Sequence, residues 1–158
     1  MLWLRALVVT VLVPGVVGGW LPLAIARAAR HADLGVWHRL GLPLVALAWC
    51  GLLWCIVDFV RRGRGTLLPL DPLKRLVSSG LYRITRNPMY VCVLLSILGI
   101  ALHTGASVLL AYAAGFVIVV TLFVRFHEEP FLRREFGEEY DRYRARVPRW
   151  LGPVRRER

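Results

Sequence analysis

Long uncharged apolar blocks alternate with basic stretches along the chain, and the blocks set its organisation. Residues 6–26 hold no Asp, Glu, Lys or Arg, enough for a helix across a hydrocarbon core of roughly 30 Å. The same block fits a secretory leader, with Ala24-Ile25-Ala26 as a small-residue cleavage pattern. It exceeds a signal core of about 7–15 residues and only Arg5 precedes it, so a retained span is expected. Residues 40–57 form a second block, containing Trp49 and Trp54 and closed by Asp58, Arg61, Arg62 and Arg64. Residues 63–87 carry Gly65, Pro69, Pro72 and Gly80 among polar side chains and read as a loop with room for one short helical turn.

From 87 to 124 the only ionisable side chain of the acid, base or imidazole type is His103. One helix over that stretch would be about 57 Å long at 1.5 Å per residue, too long for a single crossing. His103-Thr104-Gly105 near its middle supplies polar and turn-forming residues, which predicts two short antiparallel spans. Asn87-Pro88 suits a helix start, because Asn can cap exposed N–H groups and Pro loses nothing at the first helical position. Beyond Val124, Phe136, Tyr140, Tyr143 and Val147 recur at i, i+4, i+7 and i+11, one face of an amphipathic helix. Taken alone, such a helix reads as one lying on a membrane surface. The expected fold is all-α: a single integral membrane domain over 1–158, with about four transmembrane helices and a C-terminal amphipathic helix. A three-span arrangement stays open.

Composition supports lipid as the solvent for much of the 158-residue chain. Hydrophobic residues make up 57% of it, above the roughly 45–50% of a soluble domain. The 21 Lys and Arg outnumber 10 Asp and Glu, for a formal charge of +11. These basic residues flank the apolar blocks instead of lining one soluble face, so membrane lipids, not nucleic acid, are the expected partner. Arg61, Arg62, Arg64, Lys74, Arg75, Arg83 and Arg86 crowd the 61–86 loop, ten more arginines follow from Arg125, and the His103 turn has none. Loop 61–86 and the tail are therefore expected in the cytoplasm. Arg27, Arg30 and Arg39 on the outer side are a mild exception. Cys50, Cys55 and Cys92 sit inside apolar blocks without paired spacing or a nearby His, so neither a disulfide framework nor a metal site is expected.

Glu128 and Glu129 come directly off the last apolar block, and Pro130 follows and is expected to bend the chain. Adjacent helical residues point about 100° apart, so the two carboxylates should have different partners. Both could pair with arginines such as Arg83, Arg86 or Arg133; alternatively, at least one meets a cationic ligand.

The run Leu76-Val77-Ser78-Ser79-Gly80-Leu81-Tyr82-Arg83-Ile84-Thr85-Arg86-Asn87-Pro88-Met89-Tyr90-Val91, the pair Glu128-Glu129, and Phe136-Gly137-Glu138-Glu139-Tyr140-Asp141-Arg142-Tyr143 with Val147-Pro148 occur in that order. Together they closely resemble the isoprenylcysteine carboxyl methyltransferases and their bacterial relatives, a broad group that includes the phospholipid N-methyltransferases. The resemblance covers roughly 67–149. It implies an integral membrane enzyme that moves a methyl group from S-adenosylmethionine to a lipophilic or lipid-linked acceptor. By position, Lys74, Leu76, Val77, Tyr82, Asn87, Pro88, Tyr90 and Glu128 would contact the cofactor. A substrate-contacting arginine of the family aligns with position 124, where this chain has Val. Arg125 is the substitute candidate, with Glu129 beside the acceptor. Asn87 departs from the histidine of the eukaryotic enzymes, and Cys92 stands where many relatives have Gly, which leaves the acceptor open among carboxylate, amine and thiol.

Residue chemistry points the same way. The cofactor carries an ammonium that Glu128 can meet, and a carboxylate suited to the start of the third span. Tyr82 and Tyr90 can wall the pocket or meet the sulfonium, though interfacial tyrosines are common at membrane edges and basic residues such as Arg83 and Arg86 follow the charge rule anyway. A non-catalytic membrane protein with a lipid-binding basic tail explains the spans and charge but not the acidic pair. A reductase lacks support from any Gly-rich dinucleotide fingerprint.

Overall fold

The computed structural model describes residues 12–63 and 76–153, and among these every regular element is helical. Helix α1 (Leu12–Ala28) is followed by a 3-10 turn, Gly35–Leu40, that leads into α2 (Gly41–Gly63). A 3-10 turn at Gly80–Arg83 precedes α3 (Pro88–Thr104). Helix α4 (Val108–Phe123) continues through a π-helical turn, Val124–Glu128, into α5 (Glu129–Phe136), and α6 (Glu138–Arg146) closes the fold. The stretches Gly35–Asp58 and Val108–Phe136 are long and apolar enough to cross a membrane, whereas Leu12–Ala28 and Pro88–Thr104 are apolar but shorter. The N-terminal part of the first apolar block, and Gly65, Pro69, Pro72 and Lys74 of the loop, lie outside the described residues.

The break between α3 and α4 falls at the expected turn. Gly105 takes the left-handed conformation, φ +72°, and its N–H bonds to the Ala101 carbonyl, ending α3. Its carbonyl accepts from the Ala32 N–H at 2.9 Å, tying the α1–α2 connection to this end of the molecule. Helices α2 and α3 make the closest pairing. A Cβ on Gly41 would stand 2.5 Å from His103 and 2.6 Å from the Gly99 carbonyl, so glycine is what permits the approach.

Proline shapes two helices in the same way. In α1 a π-helical turn, Val16–Trp20, ends two residues before Pro22; in the α4–α5 helix the turn Val124–Glu128 ends two residues before Pro130. The wider turn gives the proline ring room where an α-helical carbonyl would clash. Pro130 does not end the helix: it runs through to Phe136, with the Glu129 N–H reaching back to the Val124 carbonyl. In α1 the carbonyls disturbed by the turn bind neighbouring helices instead. Ser96 Oγ donates to the Gly18 carbonyl at 2.6 Å, and the Tyr112 hydroxyl donates to the Val17 carbonyl at 2.9 Å. These two bonds dock α1 on α3 and α4.

The tail differs from the single helix that its apolar stripe predicts. Gly137, at φ +50° and ψ −123°, separates α5 from α6. Tyr140, Tyr143 and Val147 are buried together, with Leu76, Leu132 and Phe136 packed against them. Protein covers the stripe here.

Candidate functional site

The segment between the 3-10 turn and α3 is held by the tail. The Tyr143 hydroxyl donates to the Tyr82 carbonyl at 2.7 Å, Thr85 Oγ1 donates to the Arg149 carbonyl at 3.0 Å, and the Arg86 N–H donates to the Pro148 carbonyl at 3.0 Å. Asn87 is buried, and its Nδ2 also donates to the Arg149 carbonyl at 3.0 Å. Asn87 thus does not cap α3: no side chain bonds the first turn, and Pro88 occupies its start as expected. The carbonyl of Arg149 has replaced the helix as the Asn87 side chain's partner.

The two adjacent glutamates have separate partners. Glu129 is buried and takes Arg149 as a bidentate pair, Nε to Oε1 at 2.7 Å and Nη2 to Oε2 at 2.8 Å. Arg86 Nη1 donates to the same Oε1 at 2.9 Å and to the Tyr140 hydroxyl at 3.2 Å. Glu128, half-buried, accepts the Tyr90 hydroxyl at 2.5 Å and has no ion pair among the described residues. One carboxylate is saturated with positive charge; its neighbour is not.

A crevice of about 20 Å³ opens between these groups, lined by Arg86, Asn87, Val124, Glu128, Leu132 and Tyr143, with Glu129 and Tyr140 beside them. That volume is water-sized. The pairing with Glu129 raises the Arg149 guanidinium above its ordinary value. Burial raises the hydroxyls of Tyr82, Tyr140 and Tyr143, so all three are neutral near neutral pH.

The residues singled out from sequence are distributed unevenly. Asn87, Glu128 and Glu129 meet at the crevice, Tyr90 reaches it through Glu128, and Pro88 is buried at the start of α3. Tyr82 and Val77 are buried in a neighbouring cluster with Cys55, and Leu76 packs on the tail aromatics. Lys74 lies outside the described residues. Arg125 is not brought to the crevice: its side chain is exposed, with the guanidinium 5.7 Å from the Phe126 ring centre. Val124, only 1% exposed, faces the crevice instead. Arg86, one of the arginines that could pair with the acidic residues, does meet Glu129, whereas Arg149 is the group that sequence reasoning missed. It reads as an ordinary basic residue of a membrane flank, and no spacing ties position 149 to position 129.

The profile of one family, described as phospholipid methyltransferase, matches residues 36–139, which takes in α2, α3, α4, α5 and the acidic pair. The chain belongs to the phospholipid methyltransferase family. Within curated proteins, this family member is 36% identical over 110 residues to the cobalt-zinc-cadmium resistance protein CzcN of Cupriavidus metallidurans, covering 69% of the chain and 46% of that relative. It therefore spans about half of the length of CzcN. It is also 38% identical over 63 residues to an uncharacterised protein of Haemophilus influenzae, covering 40% of the chain and the whole of that relative. No solved structure matches it.

Proposed function

We propose that this phospholipid methyltransferase family member transfers a methyl group from S-adenosylmethionine to a lipophilic acceptor at the cytoplasmic edge of the membrane. The observation that carries the reading is Glu128, a half-buried carboxylate bonded to a tyrosine hydroxyl and, among the described residues, to no cation, beside a neighbour whose charge is met twice. A carboxylate in that state suits an ammonium ligand through a charge-assisted hydrogen bond. When bound, S-adenosylmethionine supplies a methyl group already activated on a sulfonium, so the protein's part is mainly positioning and exclusion of water.

The chain's own residues divide that work. Glu128 holds the ammonium, and Tyr90 fixes the Glu128 carboxylate in place. The uncapped first turn of α3, set by Asn87-Pro88, offers backbone N–H groups to the carboxylate. Tyr82, Leu76 and Val77 form the side of the site nearest the loop. Glu129 acts as a positioning residue, tying Arg86 and Arg149 so that the tail closes over the start of α3. Four crossings, α1 to α4, put loop 61–86 and the tail in the cytoplasm by the asymmetry of basic residues.

For the acceptor, Val124 in the crevice and the outward turn of Arg125 leave a carboxylate without a cation from this helix. That favours a lipophilic amine or thiol over an isoprenylcysteine-like carboxylate. The competing reading is a non-catalytic membrane protein whose basic tail binds lipid. Saturation binding of S-adenosylmethionine to the detergent-purified full chain separates the two: saturable binding is expected, and its absence sinks the enzyme reading.

A further inference from the structure

We infer that Cys55 of α2 and Cys92 of α3, with Met89 as a third sulfur, form a site for one soft monovalent cation, Cu(I). The inference does not depend on the cofactor reading. Spacing along the chain hides the pair because its members belong to different helices, and the closest helix pairing in the fold brings them together. A Cβ on Gly51 would stand 2.9 Å from the Cys92 sulfur. That thiol therefore lies on the face of α2 that Cys55, four residues on, continues. Cys55 and Cys92 are both buried, are not bridged, and share a side-chain hydrogen bond. Met89, three residues before Cys92 on the same face of α3, packs against the cluster that holds Cys55 and the cluster that holds Cys92.

The donor set selects the ion. Thiolate and thioether sulfur suit Cu(I), whereas structural Zn(II) asks for four donors. Among the described residues, no group of three or more His, Cys, Asp or Glu side chains is placed to hold a metal. Charge selects the ion too. Cu(I) can take the place of the proton that one thiol holds toward the other: an S–H bond breaks, an S–Cu bond forms, the proton leaves to solvent, and no oxidation state changes. One positive charge replaces another, so the buried pair stays neutral and the cost of burying a net charge is avoided. Cys55 lies near the end of the apolar stretch Gly35–Asp58, and Cys92 near the start of α3. A cation arriving from the loop side therefore has about one helical turn, roughly 5 Å, to cross.

Anaerobic titration of the detergent-purified full chain with Cu(I), kept reduced by ascorbate and buffered by a competing chelator, tests this. The wild type should take up one Cu(I) per chain, and its melting temperature should rise with copper, because a ligand that binds only the folded state stabilises it. Cys55→Ser and Cys92→Ser should each weaken uptake by more than about 100-fold, since losing a ligand exceeds the roughly 10- to 100-fold lost with a residue that only supports one. Both should also lose the thermal shift. Met89→Leu should weaken uptake by a smaller factor, and Cys50→Ser, at the exposed cysteine, should change neither readout. X-ray absorption at the copper edge of the wild type should show sulfur donors alone, a result that needs no variant to fold. Nitrogen or oxygen donors, uptake that survives substitution of Cys55 and Cys92 together, or a folded wild type that takes up no Cu(I) overturns the inference.

Discussion

Glu129 grips Arg149 with both carboxylate oxygens, at 2.7 and 2.8 Å, across the whole of α6. The backbone carbonyl of that same arginine accepts from Thr85 and Asn87. One residue therefore joins three parts of the chain: the end of the long helix, the start of α3 and the segment after α6. The tail is a structural wall of the candidate site.

Breaking that grip should loosen the tail. Arg149→Gln leaves Glu129, whose side chain is 11% exposed, with Arg86 as its remaining cation, at a cost of about 1–3 kcal/mol. Glu129→Gln should destabilise in the same direction. Melting curves in detergent read both, and an unchanged midpoint for the two variants would show that the pair does not hold the tail.

Tyr143 offers a separate test of tail packing. Burial raises its hydroxyl, and that of Tyr140, above the ordinary value of 10.0. A group raised in the folded state contributes stability that is full below its unfolded value and is lost as pH rises through the folded one. These tyrosines should leave stability flat between about pH 6 and 9 and lower it above about pH 10. Tyr143→Phe should cost about 0.5–1.5 kcal/mol at neutral pH, from the lost bond to the Tyr82 carbonyl, and should flatten the alkaline fall. Equal alkaline slopes for wild type and variant would contradict the assignment.

Much of this arrangement is legible in the sequence, and the illegible parts have physical causes. Uncharged blocks and the His103-Thr104-Gly105 punctuation locate the helices, because burial and turn geometry act locally. The opposite fates of Glu128 and Glu129 follow in outline from helical periodicity. The partners themselves do not, because Arg149 meets Glu129 only after α6 folds back. Spacing also suggests a capping role for Asn87, but a tertiary carbonyl outcompetes the helix for its side chain. The stripe over Phe136 to Val147 packs as one face, yet neither its interruption at Gly137 nor the protein that covers it is encoded in periodicity alone.

The turn between α3 and α4 should tolerate no side chain at Gly105. A Cβ there would lie 2.2 Å from the Ala32 carbonyl oxygen, and φ is +72°. The left-handed backbone alone costs about 1–2 kcal/mol for an L-residue, so Gly105→Ala should destabilise by more than that. Gly115, whose Cβ would meet nothing within 4 Å, serves as the control, since Ala there should be neutral or mildly stabilising. Similar melting temperatures for the two variants would rule out the tight turn.

Topology is open to direct labelling. With loop 61–86 in the cytoplasm, an impermeant maleimide applied to intact cells should modify Thr104→Cys and spare Ser79→Cys, in a background with the three native cysteines replaced. The opposite pattern would invert the arrangement and put the acidic pair on the outer side.

The central claim is that Glu128 binds a ligand's positive charge whereas Glu129 holds the fold, and dissociation constants for S-adenosylmethionine with Glu128→Gln and Glu129→Gln test it most directly. Glu128→Gln should weaken binding by about 1.5–3 kcal/mol, roughly 10- to 150-fold, with its melting temperature kept. Glu129→Gln should lower the melting temperature and, under conditions where it is folded, bind within a few fold of wild type. Equal and small losses of affinity for both, with wild-type binding intact, would contradict the division of roles between the two carboxylates.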